Sequence, residues 1–151
     1  MLLSNEIKTQ LKEYLAKLNS SVVIEAFVDE SEASTNMREL LVELAEVTQK
    51  ISLNIHKDSA ERTPSFKINK PNEITGIQFA GIPLGHEFSS LVLALLHVGE
   101  HPLKISEDLV DQIKNIEGKF VFKTFISLTC HNCPDVVQAL NILSFLNPNI
   151  S

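Results

Sequence analysis

The chain has 151 residues, of which 44% are hydrophobic and 21% charged, so its composition is globular and excludes wholesale disorder or a fibrous repeat. Its formal net charge of −6 disfavours nucleic acid as a partner. Two cysteines are too few for a disulfide-dense secreted scaffold or for an all-cysteine zinc site.

The sequence opens without a targeting pattern. Glu6 precedes any basic residue and no long apolar run follows, so we predict no secretory signal. The longest apolar stretch, residues 91–98, is far shorter than the ~20 residues that cross a bilayer, and it predicts a buried helix instead. We therefore expect a cytoplasmic protein with no membrane partner, in a compartment that keeps thiols reduced.

The first two thirds of the chain alternate between helical and extended patterns. Apolar spacing predicts, in chain order, a helix over 5–18, a buried strand over 22–28, a helix with its apolar stripe over 37–47, strands over 51–55, 65–69 and 74–79, and a helix over 87–98. A polar loop over 29–34 follows the first strand, and Pro64 precedes the third.

The last third repeats the opening layout of helix, strand, polar loop and helix. Ser106 is the predicted cap of a helix over 107–116, whose apolar stripe is Leu109, Ile113 and Ile116 and which Gly118 ends. Residues 120–126 predict a strand, and a helix follows the cysteines. One strand and one helix cannot close a core of their own, so we expect them to pack on the first unit or to belong to a longer chain.

Cys130 and Cys133 form a C-x-x-C motif between the predicted strand and helix. This spacing lets two sulfurs reach disulfide distance. We expect Cys130 at the helix N-terminus, where the helix dipole and a protonated His131 would stabilise its thiolate. That thiolate would attack a partner disulfide, and Cys133, about one turn further along the helix, would resolve the mixed disulfide.

Three other interpretations of the two cysteines stay open at this point. They could be unreactive buried thiols or a structural disulfide. They could also bind zinc, if two of four histidines converged on them: His56, His86, His97 and His101.

Two segments carry a family resemblance. Residues 127–141, which include the C-x-x-C motif, resemble the redox segment in the N-terminal domain of the flavoprotein subunit of bacterial alkyl hydroperoxide reductases (the F subunit, an NADH:peroxiredoxin reductase). Residues 80–96 are similar to a second signature of that domain, as is the helical start at residues 7–11. The resemblance covers essentially the whole chain and implies an α/β, thioredoxin-like fold with a mixed central sheet and flanking helices.

The resemblance also implies two fused units. The first, over 1–101, would be complete and redox-inactive, with the loop at 29–34 in place of a Cys pair and a cis-proline at Pro64. Composition alone favours an ordinary strand-initial proline there. The second unit, over 102–151, would begin with a linker helix, carry the C-x-x-C motif and be incomplete at its C-terminus, so that the chain is a fragment.

In this family the Cys130–Cys133 pair would pass electrons from a C-terminal flavoprotein region of the full-length chain to a peroxiredoxin, for alkyl hydroperoxide reduction. His131 and Asn132 would shape the loop and tune its potential. Glu87 would approach the pair as a proton carrier, whereas its position alone favours a helix-stabilising acid in a first turn.

The chain has no G-x-G-x-x-G motif, so FAD and NADH are expected in the full-length protein, a homodimer, and no cofactor or metal in this chain. Two alternative functions remain. One is a free-standing glutaredoxin-like protein disulfide oxidoreductase, and the other is a non-catalytic docking adaptor.

Overall fold

A computed structural model describes residues 3–57 and 61–151. Its elements, in chain order, are α1 Asn5–Leu15, β1 Val22–Val28, α2 Glu32–Val47, β2 Ile51–Lys57, β3 Ser65–Lys70, β4 Glu73–Ala80, a 3₁₀ turn Gly85–Glu87, α3 Phe88–Val98, α4 Glu107–Lys114 and α5 Cys133–Leu146. Every element predicted over residues 5–98 is present. The last predicted helix there is divided into the 3₁₀ turn and α3.

The four strands form one mixed sheet in the order β2-β1-β3-β4. Strands β1 and β2 are parallel and joined by the crossover helix α2, whereas β3 pairs antiparallel with both β1 and β4. In β1 every second residue is fully buried. This alternation arises because successive side chains of a strand point to opposite faces of the sheet.

One hydrophobic core joins the buried face of the sheet to the helices. Its members come from all four strands and from helices α1, α2 and α3, and among the largest are Phe66, Leu11, Leu15, Met37, Leu40, Leu44, Ile24, Ile68 and Leu91. Burying one such side chain contributes roughly 1.5–3 kcal/mol. The first hundred residues therefore hold enough buried surface to fix their own sheet.

Serine side chains set the starts of three helices. The hydroxyl oxygens of Ser4, Ser31 and Ser106 accept hydrogen bonds from the third residue along, at 3.2 Å in each case. Each satisfies a main-chain N–H that the first turn of a helix leaves without a partner. The capping serine predicted before α4 is thus confirmed.

Helix α5 attaches the second part of the chain to the first. It packs against α3 and against the edge strand β4. The Ser144 hydroxyl lies 2.9 Å from the carbonyls of both Thr75 in β4 and Ile150. At the end of the helix, the Asn147 side-chain amide donates to the carbonyl of Ile113 in α4 at 2.9 Å. Helices α4 and α5 are therefore fixed to one another and to the sheet.

The strand predicted over 120–126 is wrong for this structure. The segment makes a single parallel bridge, between Phe120 and Ile150, and residues 121–126 are otherwise exposed. A strand needs a neighbour to take up its main-chain N–H and C=O groups, and among the described residues only 149–151 pair with this segment through the main chain. The β-forming side chains are present, but no second strand of sufficient length pairs with them.

The short pairing that does form repeats the register of the first sheet. The Phe120 N–H donates to the Asn149 carbonyl at 2.8 Å, and the Val22 N–H donates to the Lys50 carbonyl at 2.8 Å. In both cases a parallel pair is joined through one helix, α5 or α2. The layout repeat seen in the sequence therefore has a geometric counterpart.

Within the described residues, no helix combines the length and the apolar character needed to cross a membrane.

Candidate redox site

Cys130 and Cys133 are joined by a disulfide, with their Cα atoms 5.5 Å apart. Both residues are half-buried. Cys133 is the first residue of α5, and Pro134 follows it in the first turn, where no helical hydrogen bond is lost. The pair therefore lies at the head of the helix, reachable from solvent.

Cys130 lies before the helix and not within its first turn, which corrects the predicted placement. Its N–H donates to the Ser127 carbonyl at 3.0 Å, so a tight turn precedes α5. Its sulfur accepts the Cys133 N–H at 3.2 Å. The turn thus directs a free N–H of the helix start at the sulfur of Cys130, and this geometry favours its thiolate once the disulfide is reduced.

The other two loop residues, His131 and Asn132, are exposed. Asn132 occupies the N-cap position of α5, although its side chain makes no capping hydrogen bond there. The His131 ring contacts the ring of His86, with centroids 4.6 Å apart and planes tilted by 58°. A residue from the turn before α3 therefore touches the redox loop directly.

The same turn holds the loop through its main chain. The His86 N–H donates to the Leu128 carbonyl at 3.1 Å. Gly85 has a φ of +59°, and a Cβ built there would lie 2.8 Å from the Leu128 oxygen. Only a glycine allows this close approach at a left-handed position. The 3₁₀ turn and the segment before Cys130 are therefore in direct contact.

Glu87 lies in this turn and is only 2% exposed. Its carboxylate accepts a hydrogen bond from the Ser90 hydroxyl at 3.1 Å. It is an acid in the first turn of the 3₁₀ helix and occupies the N-cap position of α3 without a side-chain capping bond. The turn that holds Glu87 therefore lies against the redox loop.

Zinc is not supported in the part of the chain that the structure describes, where no three metal-ligating side chains come together. His56 pairs instead with Glu25 on the open face of the sheet, at 2.5 Å. His97 lies in α3, and its pKa is lowered because burial disfavours the charged ring, with a further contribution from His101. Only His86, of the four candidate ligands, contacts the redox loop through its ring.

The loop after β1 holds a hydrogen-bonded aspartate, Asp29, and no cysteine. Asp29 accepts from the hydroxyls of Ser31, Ser34 and Thr63 at 2.5, 2.7 and 2.9 Å. The Thr63–Pro64 peptide bond is cis, as the resemblance implies, and Pro64 directly precedes β3. The loop at 29–34 follows β1 and the redox loop follows the segment 120–126, so the two loops have matching positions in the chain but different chemistry.

These hydrogen bonds give a pH prediction for stability. The donors, Ser31 first, then Ser34, lower the pKa of Asp29 well below its usual range. Its contribution to the free energy of unfolding is therefore present above the unfolded-state pKa of about 4 and is lost as the pH falls below it. We expect Asp29→Asn to destabilise the chain at pH 7 and to differ less from wild type at pH 3, in urea unfolding.

Glu30→Gln is the matched control, because it removes the same charge from the neighbouring exposed position. A difference between Asp29→Asn and wild type that is as large at pH 3 as at pH 7 would contradict the assignment.

Sequence reasoning missed three residues that the structure brings to this site: His86 as a neighbour of the loop, and Ser90 and Gln138 as hydrogen-bonding partners near Glu87. His86 stands beside Glu87 in the sequence, so it could have been suspected. No local pattern points to Gln138, which reaches the site through the packing of α5 on α3.

Curated proteins of similar sequence carry two names. The chain is 50% identical over 151 residues to a Bacillus subtilis protein named NADH dehydrogenase, covering 100% of this chain and 29% of that protein. It is 50% identical over 150 residues to the F subunit of alkyl hydroperoxide reductase of Staphylococcus aureus, covering 99% of this chain and 29% of that protein. The chain thus spans less than a third of the length of these relatives. No protein-family model matches it.

A solved structure decides between the names. The F subunit of alkylhydroperoxide reductase of Enterococcus faecalis matches with a TM-score of 0.88 and 33% identity, covering 99% of this chain and 77% of that chain. The chain belongs to the family of alkyl hydroperoxide reductase F subunits. A protein disulfide oxidoreductase from Aeropyrum pernix shares its fold, with a TM-score of 0.80 and 19% identity over 97% of this chain and 69% of that chain.

Membership of this family confirms the resemblance seen in the sequence, and the thioredoxin-like α/β fold is confirmed with it. The mixed sheet with helices against it is the expected architecture.

Proposed function

We propose that this chain is a thiol–disulfide relay domain. In it, Cys130 and Cys133 receive electrons from a flavin- and NADH-dependent disulfide reductase region of a longer F-subunit protein and pass them to a peroxiredoxin. The observation that carries the proposal is a half-buried Cys130–Cys133 bond at the head of α5, in a chain of this family. The relay would serve alkyl hydroperoxide reduction in the cytoplasm, in a protein expected to be a homodimer.

The exchange proceeds in two displacements. The Cys130 thiolate attacks one sulfur of the peroxiredoxin disulfide, whose S–S bond breaks, and the other partner sulfur leaves as a thiolate and takes up a proton. The Cys133 thiolate then attacks the Cys130 sulfur and releases the second partner thiolate, which is also protonated. Two electrons and two protons reach the partner, and the Cys130–Cys133 bond forms again. Reduction of that bond by a donor dithiol follows the same steps in reverse.

Three further residues have roles in this scheme. The Glu87 carboxyl gives a proton to a departing thiolate and recovers one from the Cys133 thiol before that sulfur attacks, since a positioned acid can transfer protons in the transition state. His131, when charged, stabilises the Cys130 thiolate beside it. Asn132 shapes the loop as the N-cap residue of α5. The buried position of Glu87 and the contact of its turn with the loop support the first of these roles.

The domain organisation that fits this function is a redox-inactive unit over 1–101 and a dithiol-bearing unit over 102–151. The repeated register, in which Phe120 and Asn149 pair as Val22 and Lys50 do, supports the division. The hydrogen-bonded Asp29 supports the loss of redox function in the first unit, because an aspartate cannot form the disulfide that the other loop contains.

A redox titration tests the relay. We expect Cys130 and Cys133 to become accessible to a thiol-labelling reagent together, in one transition that follows the two-electron slope of about 30 mV per tenfold change in the dithiol ratio. Mass spectrometry counts the labels on the chain at each dithiol ratio. Independent labelling of the two sulfurs, with no two-electron transition, would rule out the dithiol relay and the free-standing disulfide oxidoreductase alike.

A further inference from the structure

We propose that Ser90 and Gln138 are positioning residues that hold the Glu87 carboxylate and link it to the redox helix α5. The inference deepens the proposed function and rests on it, because Glu87 acts there as the proton carrier. It adds two groups from separate helices, of which Ser90 belongs to α3 and Gln138 to α5.

The three side chains form one directed row of hydrogen bonds. The Gln138 amide nitrogen donates to the Ser90 hydroxyl oxygen at 3.2 Å, and the Ser90 hydroxyl donates to Glu87 Oε1 at 3.1 Å. Ser90 is fully buried and Glu87 is 2% exposed. The Gln138 amide donates to the Ser90 oxygen, so the Ser90 hydroxyl proton is directed to the Glu87 carboxylate.

Burial gives this row its importance. A carboxylate removed from water is costly unless hydrogen bonds replace those of the solvent. The Ser90 hydroxyl supplies such a bond and restricts the carboxylate to one orientation in the turn. Loss of the serine oxygen would leave both the Gln138 amide and Glu87 without this partner, so the two contacts depend on one atom.

Gln138 connects this row of hydrogen bonds to the redox helix α5. It lies five residues after Cys133 in the same helix, about 7.5 Å along its axis at 1.5 Å per residue. A helix moves as a rigid element, so the Gln138 amide keeps a fixed position relative to Cys133. The row therefore ties the proton carrier of one unit to the dithiol of the other, across the contact between α3 and α5.

The test measures how fast the reduced chain reduces an aliphatic disulfide, oxidised glutathione, as a function of pH, because its departing thiolate takes up a proton. We expect Ser90→Ala to slow exchange about tenfold at pH 7, the scale of one hydrogen bond to a charged group, and to shift the midpoint of the pH–rate profile away from the wild-type value. Gln138→Met, which keeps the side-chain length without the amide, is expected to move both quantities in the same direction by a smaller factor.

Ser89→Ala is the matched control, since Ser89 is an exposed neighbour in α3 whose hydroxyl donates to the His86 carbonyl at 3.4 Å. Ser89 also accepts a longer bond from Gln138, at 3.4 Å, and its removal leaves the contact between Ser90 and Glu87 in place. Its rate and pH midpoint are expected to match those of wild type. If Ser90→Ala does not fold, Gln138→Met carries the test alone.

Glu87→Gln distinguishes a failure of the proton-carrier role from a failure of the positioning role. If it leaves the pH profile unchanged, the proton-carrier role fails, and the positioning role fails with it. If Glu87→Gln changes the profile while Ser90→Ala and Gln138→Met both keep the wild-type rate and midpoint, the positioning inference is overturned and the proposed function stands.

Discussion

Replacing Cys130 with serine is expected to lower the rate of disulfide exchange by about a thousandfold or more, the scale on which removal of a catalytic nucleophile acts. A serine hydroxyl stays protonated at neutral pH and cannot form the mixed disulfide, even with the Cys133 N–H directed at it. The measurement is the initial rate of reduction of a peroxiredoxin disulfide by the fully reduced variant.

Cys133→Ser should behave differently and so identifies the order of attack. Cys130 can still open the partner disulfide, but nothing resolves the product, so a mixed disulfide accumulates to about one equivalent. Mass spectrometry of the non-reduced mixture detects the mixed disulfide. Trapping through Cys133 in the Cys130→Ser variant, and not through Cys130, would reverse the assigned roles.

The control for both variants concerns stability. Loss of a disulfide can itself change the free energy of unfolding, so unfolding is compared under reducing conditions, where wild type also has two thiols. A non-catalytic docking adaptor would bind and support the partner equally well with serine at position 130. Unchanged electron transfer in Cys130→Ser would therefore favour the adaptor and remove the relay.

Most of the elements were predictable because their patterns are local and agree with the packing. Strand β1 begins and ends where a stretch rich in β-branched residues does, and Ser106 caps α4 as predicted. Hydrophobic spacing alone determines which face of such a helix is buried. The stripe of α4 is the exception, because only Ile113 is buried while Leu109 and Ile116 remain 43% and 38% exposed.

The remainder depends on contacts between distant segments, which no local pattern encodes. Residues 120–126 have strand-forming side chains, but a strand exists only where a partner strand lies, and that partner is three residues long here. Placing Cys130 ahead of α5 required the turn that Ser127 closes. The contact of His86 with His131 likewise arises because the turn before α3 packs against the redox loop.

Gly85 is a residue on which this packing depends. A side chain there meets two penalties, because its φ of +59° is left-handed and a Cβ would lie 2.8 Å from the main-chain oxygen of Leu128. Gly81 provides the matched control, since it also has a left-handed φ, +93°, but a Cβ there meets nothing within 4 Å. The pair therefore separates backbone strain from steric contact with the loop.

We expect Gly81→Ala to lower the free energy of unfolding by about 1–2 kcal/mol, the usual penalty for a left-handed alanine. Gly85→Ala should lower it by about 2–5 kcal/mol, because overpacking against a main-chain atom adds about 1–3 kcal/mol. Urea unfolding followed by circular dichroism measures both. Equal losses for the two variants would mean that the contact with Leu128 contributes nothing.

The same pair distinguishes stability from function. Displacing Leu128 breaks the hydrogen bond from the His86 N–H and separates the turn that holds Glu87 from the loop that leads to Cys130. Gly85→Ala should then reduce the disulfide-exchange rate under conditions where it is still folded, and hydrogen exchange at the His86 amide should accelerate. Gly81→Ala strains the main chain but displaces no neighbouring atom, so it should exchange disulfides at the wild-type rate. A folded Gly85→Ala protein with the wild-type rate would show that the turn and the redox loop work independently.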